Sequence, residues 1–173
     1  MAARPRSTTR QAISQRPLWT CPRCGHKFVT RNMWHSCGRV ALADHFKGKP
    51  PNIKRAFDAW RKLVRECGPF TVIPQKSRIV FMTRVRFGGA VVRKGHVIGT
   101  FWITRPAEKV LGGPLPAGLE LAEFLRPKYH IYRFKLTSPA ELDAPRFEGL
   151  RELAREAYAN GLQQGPPEGR ADN

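Results

Sequence analysis

Three cysteines and a histidine near the start of the chain have the spacing of a metal-binding site. The cysteines are Cys21, Cys24 and Cys37, and His35 lies two residues before the last of them. Two thiolates spaced in this way can hold one tetrahedral ion, and Gly25 allows the tight turn whose backbone amides point at the sulfur atoms. A site with four protein ligands leaves no open position for water, so the pattern predicts a structural zinc site.

The fourth ligand is the open part of this prediction. His35 is favoured, and His45 and His26 are the alternatives. The remaining cysteine, Cys67, falls on the apolar stripe of a predicted helix, and we interpret it as a small buried hydrophobic residue. Four cysteines in a chain that we expect to be intracellular favour metal or core positions over disulfides. The predicted zinc ligands are therefore Cys21, Cys24, His35 and Cys37.

The positive charge of the chain is high and is concentrated in its first half. The 173 residues contain 31 Lys and Arg against 13 Asp and Glu, a formal net charge of +18. Nineteen of those cations and only three of the acidic residues lie within residues 1–86. Such an excess favours a polyanionic partner, because each cation placed on a phosphate releases a condensed counterion. We predict nucleic acid, either RNA (including ribosomal RNA) or DNA, and no membrane partner; a surface charge that serves solubility alone is the alternative.

The predicted phosphate contacts come from a flexible basic arm, the cysteine-bearing module and the polar face of the first long helix. The cations concerned are Arg4, Arg6, Arg10, Arg16, Arg23, Lys27, Arg31, Arg39, Lys54, Arg55, Arg61 and Lys62. Aromatic residues alternate with the cations of the module, as base stacking beside phosphate contacts requires. For Trp19 and Phe28 we favour packing within the protein, whereas the role of Trp34 is open.

Apolar residues that recur at the 3.6-residue period predict two helices. The first covers residues 52–67, with Asn52 as its N-cap and Gly68-Pro69 as its stop. Its apolar residues form one stripe, and its opposite face is basic. The second helix covers residues 145–160 and stops at Gly161. Each helix therefore has one face that is suited to packing against a sheet.

Alternating apolar residues between the two helices predict an antiparallel sheet. The predicted strands are residues 70–73, 78–87, 90–93, 96–104 and 129–137. The strand at 78–87 places Arg84 and Arg86 on its outer face, and Gly88-Gly89 is predicted as a turn. The order of helix, sheet and helix behind the cysteine-bearing module predicts an α+β fold with an N-terminal module of the zinc-knuckle or ribbon type.

The domain organisation follows from composition. The predicted segments are a basic arm at residues 1–17, a zinc-binding module at 18–50, an α+β domain at 51–162 and a disordered tail at 163–173. No run of about 20 apolar residues is present, and no apolar run follows the first arginines as it does in a secretory signal. We therefore expect a cytoplasmic protein.

Residue patterns that indicate catalysis are scarce. Gly88-Gly89 and Gly112-Gly113 lack the spacing of a phosphate-binding loop, and only three acidic residues precede residue 108. The histidines and tyrosines of the sheet, among them His130 and Tyr129, could line a pocket, but residues of this kind are more often surface or core positions. We predict a protein without enzymatic activity. The alternative is a protein-interaction or small-ligand module that uses the sheet face, with the charge serving solubility.

Three segments carry a resemblance to a known family: CPRCGHKF at residues 21–28, NMWHSCGR at 32–39 and ADHFKGKP at 43–50. Over about residues 19–161 the chain resembles an uncharacterised bacterial family catalogued as domain of unknown function number 5655. The family has no agreed function, so the resemblance implies the metal-binding module and no activity. It also implies that His35, Cys37 and His45 are family features, which supports the first two as ligands and keeps His45 as an alternative.

Overall fold

The structure is a computed structural model that describes residues 17–29, 31–32, 35, 37, 40–125 and 129–163. Residues 1–16 of the predicted arm and residues 164–173 of the predicted tail lie outside the described residues. Within the described part, helices pack against an antiparallel sheet behind an N-terminal cysteine-bearing module, so the predicted α+β fold is confirmed. None of the helices described is long and apolar enough to cross a membrane.

The elements occur in the predicted general order. The helices are α1 (Pro51–Arg65), α2 (Ala107–Leu111) and α3 (Leu150–Leu162), with short 3-10 turns at Leu42–Phe46, Pro139–Asp143 and Pro145–Phe147. The strands are β1 (Trp19–Thr20), β2 (Lys27–Phe28), β3 (Thr71–Pro74), β4 (Ile79–Met82), β5 (Arg86–Val92), β6 (Val97–Ile103), β7 (Leu119–Leu125) and β8 (Tyr129–Leu136). Strands β1 and β2 pair with each other, and the other six form one antiparallel sheet in the order β3-β4-β5-β6-β8-β7.

Helix α1 forms where the apolar period predicts a helix, and its stripe is buried against the sheet. Ile53, Phe57 and Trp60 are each at most 1% exposed. Pro51 is suited to the first turn of α1, because backbone N–H groups in that turn have no acceptor within the helix and proline lacks the N–H. The indole Nε1 of Trp60 donates a hydrogen bond of 3.1 Å to the carbonyl oxygen of Gly89 in β5, which satisfies the buried indole N–H.

The sheet has two differently covered faces because side chains alternate along each strand. On β4, Phe81 packs on Trp60 of α1 with ring centroids 6.3 Å apart, so this side is the helix face. The neighbouring Val80 and Met82 point the other way and form a small buried cluster with Phe28 of β2. The β1–β2 module therefore lies on the side of the sheet opposite to α1, and we call that side the module face.

The predicted strand over residues 78–87 is interrupted in the structure. The chain turns at residues 83–85, between β4 and β5. The backbone N–H groups of Arg84 and Val85 both donate to the carbonyl oxygen of Gly161 at 3.1 Å, so α3 holds this turn in place. The prediction missed the turn because its hydrogen-bond partner lies about 76 residues further along the chain.

The predicted turn at Gly88-Gly89 is wrong, since both glycines lie inside β5. A Cβ atom at Gly89 would overlap the carbonyl group of Ile79 in the neighbouring strand. These glycines therefore allow a close approach between backbones, which is the other use of glycine within a strand. Glycine pairs are usually turn signals, and here the tertiary packing overrides that local preference.

Three further predictions differ in detail from the structure. Strand β7 lies in a segment for which no strand was predicted, and α3 continues through Gly161 to Leu162. Asn52 is the second residue of α1 and not its N-cap. Its side-chain amide instead donates to the carbonyl oxygen of Thr137, 2.8 Å away, and so ties the start of α1 to the end of β8.

Candidate metal centre

The first two metal ligands lie on a tight turn between β1 and β2. The strands pair Trp19 with Phe28, and the N–H of Cys21 donates to the carbonyl oxygen of His26 at 2.8 Å. The N–H of Gly25 donates back to the carbonyl oxygen of Cys21, also at 2.8 Å. Gly25 has a φ of +73°, a conformation that favours glycine, so its presence after the second cysteine allows the turn.

The structure brings the four predicted ligands together. The sulfur atoms of Cys21, Cys24 and Cys37 and a ring nitrogen of His35 all lie within 4.8 Å of one another. The Sγ atoms of Cys21 and Cys37 are 3.7 Å apart, and Nε2 of His35 is 3.2 Å from Sγ of Cys24 and 3.0 Å from Sγ of Cys37. A tetrahedral ion requires about 3.8 Å between sulfur ligands and about 3.5 Å between sulfur and nitrogen, so the sulfur–sulfur distance matches and the two sulfur–nitrogen distances are shorter than a bound ion would set. The four side chains are therefore positioned to bind one metal ion.

The two alternative histidines lie outside this group of four. His26 is next to it, with Nδ1 3.4 Å from Sγ of Cys24. His45 lies on the 3-10 turn at Leu42–Phe46 and is 9% exposed, with an Nε2 atom that has no hydrogen-bond partner among the described residues. Of the three histidines considered, His35 is the one that the structure places among the cysteine sulfurs.

The thiols of the cluster have strongly different acidities. Burial raises the pKa of Cys21, but backbone N–H groups of Arg23 and Cys24 stabilise its thiolate and lower that pKa to about 6. Burial also raises the pKa of Cys37, and the neighbouring Cys21 and Cys24 raise it further, to about 11. Crowded thiolates repel one another, and a divalent cation removes this repulsion. The donor set is thus suited to a cation that binds deprotonated sulfur.

Apolar contacts fix the cluster to the module face of the sheet. Cys21 and Phe28 are buried with Ile73 of β3 and with Val80 and Met82 of β4. Trp19 packs at the edge of this group, so the preference for packing at the first two aromatic residues of the module agrees with the structure. The candidate metal ligands are therefore attached to the sheet through this cluster, with Cys21 buried and Cys24, His35 and Cys37 half-buried.

The predicted phosphate-binding cations do not share one surface. Arg23, Lys27 and Arg31 are exposed on the module. Lys54, Arg55, Arg61 and Lys62 belong to α1, which packs on the helix face, so they lie on the other side of the sheet. Arg4, Arg6, Arg10, Arg16 and Arg39 lie outside the described residues, as does Trp34.

Part of the charge on α1 is neutralised within the helix. Asp58 accepts from Lys54 at 2.6 Å and from Arg61 at 3.1 Å. The guanidinium of Arg61 also lies over the Phe57 ring, 5.7 Å from its centroid. Exposed pairs of this kind contribute little to stability, but they lower the density of positive charge that the helix presents. In contrast, no ion pair of Arg23, Lys27 or Arg31 occurs within the described part of the chain.

A cavity beside the metal cluster contains residues that the sequence did not assign to a site. It opens between the module and the module face of the sheet, with a volume of about 260 Å³. Arg84, Arg86, Trp102 and Tyr129 lie around it together with the metal ligand His35. The sequence did indicate that the two arginines are accessible, because the predicted 78–87 strand places both on its outer face. Tyr129 is one of the sheet residues that the sequence indicated could line a pocket, whereas Trp102 needed the strand pairing to be placed.

The fold and the site together define an α+β protein with a Cys3His cluster that can hold a metal ion. Comparisons with protein-family models, with curated proteins and with solved structures gave no match for this chain. The family resemblance of the three cysteine- and histidine-bearing segments therefore stays a prediction.

Proposed function

We propose that this is a zinc-containing nucleic-acid-binding protein without enzymatic activity that associates with RNA or ribosomes. The choice of zinc rests on the donor set of the cluster: three thiol sulfurs and one imidazole nitrogen that all lie within 4.8 Å of one another. Four protein ligands leave no coordination position for a reacting water, so the ion has a structural role. It stabilises a module whose own buried core is small.

The observation that carries nucleic-acid binding is the charge on the module side of the molecule. Arg23, Lys27 and Arg31 are exposed there without ion pairs in the described part, and Arg84 and Arg86 lie nearby on the sheet. Cations of this kind bind phosphates and release counterions. The predicted arm would extend the same charge. Affinity therefore comes mainly from phosphate contacts on this side, and less from α1, where Asp58 offsets two cations.

A salt series with matched charge reversals tests this proposal. Lys27→Glu with Arg31→Glu changes the module side, and Arg55→Glu with Lys62→Glu makes the same change in net charge on α1. We expect the first pair to weaken binding of a labelled RNA by about tenfold or more at low salt, with a shallower salt dependence. The second pair should change binding by less than about threefold. Absence of RNA and DNA binding by the wild type at low salt, or an affinity independent of salt, would refute the proposal.

The alternative function is a protein-interaction or small-ligand module that uses the sheet face. The specific observation in its favour is the cavity between the module and the sheet. Removal of residues 1–16 distinguishes the two functions. The arm supplies four of the predicted phosphate contacts, so nucleic-acid binding predicts a large loss of affinity for polyanions. A small-ligand or protein module predicts unchanged binding of its partner.

A further inference from the structure

The cavity between the module and the sheet is a concave site lined by apolar, aromatic and basic side chains. Its floor is apolar and comes from β3 and β4, including Ile73, Val80 and Met82. Phe28 and His35 close the side towards the metal cluster. A volume of about 260 Å³ is just below the range of about 300–1,000 Å³ typical of ligand pockets, so a group of limited size fits it.

Flat aromatic surfaces line the opposite side. Trp102 on β6 and Tyr129 at the start of β8 have ring centroids 5.9 Å apart and planes inclined by 53°. Both residues are half-buried, and a ligand can stack on Trp102 only where Arg86 leaves its ring uncovered. The guanidinium of Arg86 lies 4.4 Å from the centroid of the Trp102 ring, which holds the indole and the cation in one arrangement. Such a surface is suited to a planar, unsaturated ring.

The charges around the cavity are positive. Arg84 and Arg86 line it, and none of the described residues in its lining is acidic. Arg86 is half-buried and forms no ion pair within the described part of the chain. Burial and the nearby Arg78 lower the pKa of Arg86, which reflects a cation whose charge is only partly compensated. A bound anion at this position would stabilise the buried positive charge of Arg86.

Both arginines are held by rigid backbone. Arg84 belongs to the turn whose N–H groups donate to the carbonyl oxygen of Gly161. Arg86 pairs with Met82 across an irregularity in the register of β4 and β5, which brings it to the edge of the apolar floor. An irregularity in the register of two strands changes the direction of a side chain while the strands stay paired. The backbone at both cations is therefore fixed before a ligand binds, and the contact with Trp102 also positions the Arg86 guanidinium.

We propose that this cavity binds one unpaired nucleotide of a bound single strand, with its base against Trp102 and its phosphate on Arg86. The proposal rests on the nucleic-acid-binding function proposed above and identifies where that function recognises a single strand. The apolar floor and the aromatic side accept a base, which can stack on Trp102 in any sequence. The guanidinium binds the negative phosphate through paired hydrogen bonds. A paired base has both faces covered by its neighbours in a duplex, so duplexes do not use the cavity.

The first experiment compares a single-stranded oligonucleotide with a duplex, each as RNA and as DNA. We expect Trp102→Leu and Arg86→Gln each to weaken single-strand binding by about tenfold or more. Duplex binding should change by less than about twofold. Trp102→Phe keeps a ring and should retain most of the affinity, which separates stacking from loss of folding. The matched control is Arg93→Gln, which removes the same charge just beyond the other end of β5.

The second experiment measures the cavity without a polymer. Adenosine and uridine monophosphates are titrated into the full-length protein while the indole N–H signal of Trp102 is followed by NMR, with inorganic phosphate as a further probe. A saturable shift that is lost in Arg86→Gln and larger than that with phosphate alone supports the proposal. It does so even if no polymer binds, in which case only the proposed function of the protein is wrong.

Two results would overturn the cavity proposal. One is full single-strand binding by Trp102→Leu and Arg86→Gln, which leaves nucleic-acid binding intact but places it elsewhere. The other is a Trp102 signal that does not respond to either nucleotide at millimolar concentration in the folded protein.

Discussion

The ring of Phe28 lies 4.4 Å from the imidazole of His35, centroid to centroid, with the two planes inclined by 36°. Phe28 is also buried against Val80 and Met82 on the module face of the sheet. One side chain thus contacts a metal ligand and the body of the protein. The position of the His35 imidazole among the cysteine sulfurs depends on this packing, and not on the spacing of ligands alone.

The first prediction concerns Phe28. Phe28→Ala should lower the free energy of unfolding of the metal-bound protein by about 3–5 kcal/mol, because it leaves a cavity between the module and the sheet. It should also weaken metal retention against a chelator. Phe28→Leu should lose less in both measurements, because it fills much of the space. Denaturant unfolding and metal competition are the measurements, and unchanged metal retention in Phe28→Ala would contradict the role given to this contact.

The second prediction concerns the ion and its ligands. Purified wild-type protein should contain about one zinc per chain, and Cys37→Ser or His35→Asn should lose most of it. Cys67→Ser is the matched control and should retain zinc, since Cys67 packs against the main core and not at the cluster. Elemental analysis measures the ion directly. A folded, untreated wild type without zinc would contradict the choice of metal.

The group of candidate metal ligands could be predicted because its signal is local. Cys21 and Cys24 belong to one turn, and the hydrogen bonds between Cys21, Gly25 and His26 close it within six residues. The sequence left His45 as an alternative to His35 for the fourth ligand. Which histidine reaches the cysteines depends on the path of the chain after β2. The contact with Phe28 supplies that information, and it exists only in the folded protein.

The cavity could not be predicted because its residues meet only through strand pairing. Arg86 is close to Trp102 because β5 lies next to β6. Arg86 also lies at the edge of the cavity floor, because the strand interruption puts it opposite Met82. The turn that interrupts the strand is held by the carbonyl oxygen of Gly161, which is distant in sequence. Apolar alternation alone extends one strand through this region, and so it assigns the arginines to a plain outer surface.

The third prediction is a pH dependence of stability at Glu141. Burial raises the pKa of Glu141, but hydrogen bonds from Thr137 and the nearby Arg146 outweigh it and hold the pKa below its usual value. The backbone N–H of Thr137 donates to Oε2 at 2.9 Å, and Arg146 lies 3.0 Å from the same oxygen. A lowered folded-state pKa stabilises the protein above the usual pKa of about 4.3, and this contribution is lost as the pH falls below it.

We therefore expect Glu141→Gln to destabilise the protein by about 1 kcal/mol at pH 7 and by much less near pH 3. Thermal unfolding at the two pH values measures the difference. Glu148→Gln, at an exposed position of the same region, serves as the control and should have little effect at either pH. An equal loss for Glu141→Gln at both pH values would contradict the assignment.

The fourth prediction concerns close packing in the centre of the sheet. Gly99 on β6 lies opposite Phe134 on β8, and a Cβ atom at Gly99 would overlap the Phe134 ring. Gly99→Ala should destabilise the protein by about 1–3 kcal/mol through overpacking. Gly95→Ala is the control, because a Cβ there has no neighbour within 4 Å. Denaturant unfolding checks both, and Gly99→Ala combined with Phe134→Leu should cost less than the sum of the single changes.

The last prediction joins the metal centre to the proposed nucleotide cavity. His35 belongs to both, since its imidazole is placed among the cysteine sulfurs and also lines the cavity. Removal of the ion takes away one of the contacts that hold this side chain at the cavity, so the affinity for adenosine monophosphate should fall by about fivefold or more. Binding equilibria are reciprocal, and saturating nucleotide should therefore tighten metal binding by the same factor. Chelator competition with and without nucleotide measures one side, and the NMR titration measures the other. Arg86→Gln should keep the metal and abolish the effect of nucleotide on it, whereas equal nucleotide affinities with and without metal would show that the two sites are independent.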